Sequence, residues 1–167
     1  MLKYMTPALY LQMQQIDLED DLDDKWEDNI IKYRKELAES IFPDSVKAFL
    51  DKVCLHDADL VASDKLGTCR QAIFPITQED SSLTLILEQR DCRVYKYTVH
   101  LKFILAGPIN FRFHQGLSDQ GPTIWLYDEF SNEDGNLMLS VFLNNGLEME
   151  IKFKEFHWFQ SEIKEDF

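Results

Sequence analysis

The chain has 167 residues, a mass of 19.7 kDa and a formal net charge of −13, set by 17 Lys+Arg against 30 Asp+Glu. Hydrophobic residues make up 45% and are spread along the chain, which excludes collagen-like, low-complexity and wholly disordered chains and suits a single domain over 1–167. The acid excess argues against a direct nucleic-acid binder, because neutralising phosphates needs a positive face.

Thr6-Pro7 is a helix start: a Thr hydroxyl can cap free backbone donors, and Pro is tolerated in the first turn. Leu9, Met13 and Ile16 follow at helical spacing. A second apolar row, Leu22, Trp26, Ile30, Tyr33, Leu37 and Ile41, advances in steps of three and four. The longer step from Ile16 to Leu22 predicts two helices, or one bent near Asp17–Asp21. Phe42-Pro43-Asp44 ends the row, since Pro disfavours a helical residue before it. Val46, Phe49, Leu50 and Val53 predict a short third helix.

After His56 the period changes to two. Leu83, Leu85 and Leu87 alternate with Thr84, Ile86 and Glu88, and Tyr95 to Leu105 alternates with Lys96, Thr98, His100, Lys102 and Ile104. The same holds for Leu137–Leu143 and for Leu147–Phe153, where Glu148, Glu150 and Lys152 take the other phase. Such strands predict one buried and one wet face. Asp57–Leu66 and Thr123–Phe130 are two further predicted strands. Asn144-Asn145-Gly146 and Glu133-Asp134-Gly135-Asn136 are hairpin turns, because Asn, Asp and Gly accept positive φ. The expected fold is α+β: N-terminal helices over 1–55 packed on an antiparallel meander sheet of about six strands over 56–160. Ala106–Pro122 is the least regular segment, with either a plain connection carrying a short strand at Ile109–Phe113 or a functional loop as its reading.

The N-terminus has no apolar core of signal-peptide length, and runs such as Phe103–Ala106 are far too short to cross a membrane, so no leader and no membrane are expected. Cys54, Cys69 and Cys92 are odd in number and show no C-x-x-C spacing, which fits reduced thiols in a cytoplasmic protein. His56, His100, His114 and His157 form no H-E-x-x-H pattern, and there is no phosphate-cradling glycine loop or G-x-S-x-G elbow. No metal and no cofactor are therefore expected.

Seven of the ten residues from Glu19 to Asp28 are acidic. The run lacks the alternating ligands and central Gly of a calcium loop. It reads either as a solvated helix start, where acids complement the macrodipole, or as a docking surface for a basic protein. In the second reading Asp20, Asp21, Asp23, Asp24, Glu27 and Asp28 make the contact. Charge is uneven: residues 1–56 sum to −5, 57–112 to zero and 113–167 to −8. In Ile124–Phe130, alternation would set Trp125, Tyr127 and Glu129 on one face. They form either sheet core or an aromatic platform that adds partner contact. His56 beside Asp57 and Asp59 is either a junction tie or part of a site. A small metal-dependent hydrolase would use His56, Asp57 and Glu129, with His114 from the irregular segment, if these converge. A small-ligand sensor with a pocket between helices and sheet is another possibility, and a free sheet edge allows a homodimer.

Four stretches carry a resemblance: Lys3-Tyr4-Met5-Thr6 with Tyr10 and Gln12-Met13-Gln14, then Leu55-His56-Asp57-Ala58, Trp125-Leu126-Tyr127-Asp128-Glu129, and Leu147-Glu148 with Ile151 and Phe153. Their order resembles a bacterial family of cytoplasmic domains of unknown function, and is similar to the small acidic immunity proteins found beside toxin genes. The first resemblance implies no catalytic residue. The second implies a non-catalytic inhibitor that binds one toxin.

Overall fold

A computed structural model describes residues 1–15, 20–63, 81–91, 94–117 and 121–163. Three helices come first: α1 (Pro7–Met13), α2 (Asp20–Glu39) and α3 (Asp44–Lys52). Seven strands follow: β1 (Ala58–Ser63), β2 (Ser82–Asp91), β3 (Val94–Leu105), β4 (Asn110–Phe113), β5 (Ile124–Glu133), β6 (Asn136–Leu143) and β7 (Leu147–Glu162). The α+β class, the N-terminal helices and the antiparallel sheet are as the sequence predicts. The expected bend near Asp17–Asp21 falls mostly outside the described residues, as do the end of the expected Asp57–Leu66 strand, Cys69, Cys92 and part of the 106–122 segment.

Each element starts for a visible reason. The Thr6 hydroxyl accepts the Leu9 N–H at 3.3 Å, and Pro7 opens α1. Asp134 (φ 52) and Gly135 (φ 84) make the β5–β6 hairpin turn, which needs positive φ at both central residues. Helix α2 ends at Glu39, two residues before the last member of its predicted stripe, so Ile41 is 82% exposed.

All described strand pairs are antiparallel, in the order β3-β2-β1-β5-β6-β7-β4. The sheet does not stay open: β3 also pairs with the second half of β7, so six strands close into a barrel and β4 lies outside on β7. Register shifts in the β1–β2, β2–β3, β3–β7 and β5–β6 pairings bend the sheet locally. Closure also removes the free edge at β3 on which a strand-paired homodimer could form, leaving β4 at the sheet's edge.

The barrel interior is lined mainly by apolar side chains. Leu83, Leu85 and Leu87 of β2 meet Val99, Leu101 and Phe103 of β3, all fully buried, with Trp125, Val141, Met149 and Ile151 from the opposite wall. Helix α3 adds Val46 and Phe49 to the same core, and Phe49 meets the Phe156 ring edge-on at 5.2 Å. Burying each such side chain is worth about 1.5–3 kcal/mol, so this core holds the barrel shut. A second, smaller cluster lies on the outside of the wall, where Leu2 packs on Leu126 and Phe142.

Candidate functional site

The acidic helix and Tyr127 of β5 meet on the outer wall of the barrel. Asp23, Asp24, Glu27 and Asp28 of α2 are exposed. None of the four makes an ion pair among the described residues. Asp20 and Asp21 begin the helix, but their side chains lie outside the described residues. Between these acids, half-buried Trp26 meets the Tyr127 ring at 4.8 Å, edge to face. Tyr127 is also flanked by Tyr10 at 5.8 Å and by the His56 ring at 5.3 Å. Burial, followed by the nearby Tyr10 and Asp57 charges, pushes the Tyr127 hydroxyl up to about 12, so it stays a neutral donor.

Trp125 is not part of this surface. A register shift sets Trp125 opposite Leu143 in the core and Tyr127 opposite Phe142 on the outside. Trp125 is fully buried and donates its indole N–H to Asp128 at 2.7 Å. The platform expected from strict alternation therefore reduces to Tyr127. Its missing partner is Trp26 of α2, which sequence reasoning had assigned only to a packing stripe.

The four residues of the hydrolase reading enter three separate sets of contacts. His56 Nδ1 lies 3.5 Å from Asp57 Oδ1, with both side chains at least half exposed, and Asp57 takes the left-handed φ of 65° at the helix-to-strand junction. His114 Nε2 lies 2.8 Å from Glu148 Oε2 on a 1% exposed residue. Gly146 allows that approach: it has φ 87°, and a Cβ there would fall 2.4 Å from the His114 carbonyl oxygen. Glu129, 6% exposed, holds backbone instead. Its Oε2 accepts the Lys3 N–H at 2.7 Å, while Oε1 accepts those of Tyr4 at 2.8 Å and Met5 at 2.7 Å. Among the described residues, no group of three His, Cys, Asp or Glu side chains is arranged to hold a metal.

Glu129 belongs to a larger arrangement. Glu148 Oε1 accepts the Leu2 N–H at 2.7 Å, and Glu150 accepts the Met1 amino group. Three carboxylates on the outer faces of β5 and β7 thus take up the donors of five consecutive residues. From the other side, Asn29 of α2 donates to the Tyr4 carbonyl at 2.9 Å, and Glu36 accepts from Lys3 Nζ at 2.7 Å and from the Tyr4 hydroxyl. Those two bonds hold the Glu36 carboxyl below its usual range. Burial pushes Glu150 up, but the Met1 amino group and the Asn110 amide outweigh it and leave the carboxyl lowered. The N-terminal segment is a strap between α2 and the barrel wall. Its sequence signal was present but weak: acids at alternate positions in Leu147-Glu148-Met149-Glu150, in a strand whose other phase is apolar up to Phe153.

Beside the strap is a cavity of about 230 Å³, bounded by Tyr4, Tyr33 and Glu36 on one side and by Glu129, Ser131, Met138, Ser140 and Glu150 on the other. No helix among the described residues is long and apolar enough to cross a membrane. No protein-family model matches the chain, and no curated protein matches it.

Proposed function

We propose that the protein is a non-enzymatic, cytoplasmic binding protein of the immunity type, which holds a basic protein on the exposed acidic face of α2. Asp23, Asp24, Glu27 and Asp28, continuing into Asp20 and Asp21, supply the field, and Trp26 and Tyr127 supply the apolar contact. The observation that carries this reading is the 4.8 Å contact between Trp26 and Tyr127, which sets half-buried aromatic rings among exposed carboxylates. Trp and Tyr are enriched among the few residues that carry most of the energy of a protein interface. An acidic field of this kind raises association rates with a cationic partner by roughly 10–1,000-fold at low salt.

The test is paired affinity capture from the source organism's lysate with the native chain, the Asp23→Asn/Asp24→Asn/Glu27→Gln/Asp28→Asn variant and the Trp26→Ala variant. A basic protein retained by the native chain, and lost from both variants, supports the reading. Equal recovery on all three sinks it. With the captured protein purified, the native on-rate is expected to fall steeply as salt rises, and the four-site variant is expected to show little salt dependence.

A further inference from the structure

We infer that the cavity beside the strap binds a small organic cation, a primary alkylammonium with a short apolar chain. This goes beyond the docking surface proposed above and uses different residues. Glu129, Ser140 and Glu150 are direct neighbours across β5, β6 and β7 on the outer face of the barrel. Ser140 is 7% exposed and borders the cavity, and its hydroxyl has no hydrogen-bond partner among the described residues. The hydroxyl is therefore free to bond to whatever occupies the cavity.

The flanking carboxylates have capacity left. A carboxylate offers about four acceptor sites. Glu129 uses three on the strap, and Glu150 uses two, on the Met1 amino group and Asn110. One ammonium group carries three donors, which suits one site each on Glu129, Ser140 and Glu150. The lining has more carboxylates, Glu36, Glu129, Glu133 and Glu150, than cationic groups, Lys3 and the Met1 amino group, so an added cation is favoured. Tyr33 and Met138 provide an apolar wall for the chain.

The molecule already shows this chemistry at the cavity, where the Met1 amino group bonds to Glu150 and Lys3 to Glu36. The Lys3 ammonium lies 2.7 Å from a Glu36 carboxylate oxygen and 5.0 Å above the Tyr4 ring, a carboxylate-and-ring setting at the cavity's own rim. At about 230 Å³ the space is below the roughly 300–1,000 Å³ of drug-sized ligand sites, so it suits a short amine and is too small for a nucleotide.

The experiment is an NMR titration of labelled full chain with n-butylammonium chloride, and with 1-butanol as the neutral control, at constant ionic strength. Saturable shifts centred on Ser140, Met138 and Tyr33 are expected with the ammonium and not with the alcohol. Ser140→Ala is expected to weaken binding about tenfold while leaving the denaturation midpoint in place, because the hydroxyl has no bond to lose in the free protein. Met138→Lys, which carries an ammonium into the cavity on the chain itself, is expected to abolish binding. The inference is overturned by the absence of saturable shifts, by an equal response to butanol, or by unchanged affinity in Ser140→Ala.

Discussion

The two faces of β5, β6 and β7 have the same alternating pattern and opposite physics. The inner face, with Val141, Met149 and Ile151, is buried because it is apolar. The outer face holds Glu129 and Glu148, which are also buried although charged, because a strap of backbone donors covers them. Period two identifies which residues oppose the core. It does not say that the opposing residues are wet. A buried carboxylate persists only when donors surround it, and here the donors come from residues 126 and 146 positions away in the chain.

The sharpest break in that comparison is Glu129→Ala. It strands the amides of Lys3, Tyr4 and Met5, at about 1–3 kcal/mol each, with some relief from water entering by the adjoining cavity. A loss of about 3–5 kcal/mol in urea denaturation is expected, similar to that of Phe103→Ala in the core. Glu133→Ala, at the exposed end of the same strand, should stay within about 0.5 kcal/mol. If Glu129→Ala costs no more than Glu133→Ala, the strap is not held as described.

A smaller effect sharpens the contrast from inside. Asp128 faces Val141 in the core rather than the strap, and among the described residues its one hydrogen-bond partner is the Trp125 indole N–H. Burial pushes its carboxyl from 3.8 up to about 6, against the pull of that indole. The folded chain therefore keeps a proton that the unfolded chain releases. The resulting stability is fully present below about pH 4 and is lost as pH rises through about 6. Glu36 and Glu150, held low, act in the opposite sense, but only near and below 4.5. Between about pH 5 and about pH 7.5 the Asp128 effect dominates these three, and Asp128→Asn should gain about 1 kcal/mol relative to the native chain over that interval. Denaturation midpoints at the two pH values measure it, and an unchanged difference between the chains would rule out the buried acid as its source.

Regular elements were legible where one periodicity ran without interruption, as in α2, β2 and the start of β7. Errors came where the phase slipped. The shift between Trp125 and Tyr127 turned a supposed two-ring platform inside out, and the shift opposite Ile104 and Leu105 brings Phe156, not Glu155, into the core of a strand that runs on to Glu162. A bulge costs one residue and leaves no mark in composition. Barrel closure was equally hidden, since pairing of β3 with β7 depends on the twist of the whole sheet. The acidic face of α2 was readable because exposed charge needs no partner. The strap and the cavity were much less so, because the carboxylates that hold the strap lie 124 to 149 positions from the donors they accept.

The smallest expected effect concerns the acids that remain wet. Asp23 and Asp24 lie near the start of α2, where a negative charge gains about 0.3–1 kcal/mol from the helix dipole. The pairs Asp23 with Glu27 and Asp24 with Asp28 are like charges one turn apart, each costing about 0.2–0.5 kcal/mol. The two contributions nearly cancel, so neutralising all four acids should move stability by about 0.5 kcal/mol or less, and the residue of the effect should shrink as salt is added. Urea denaturation at low and high salt reads it directly. A large loss would make the acidic run a structural requirement of α2, whereas a near-zero change with loss of partner capture separates its binding role from folding. One covered acid, Glu129, should then outweigh four exposed ones, because the cost of a carboxylate lies in the donors it would leave unpaired and not in its charge.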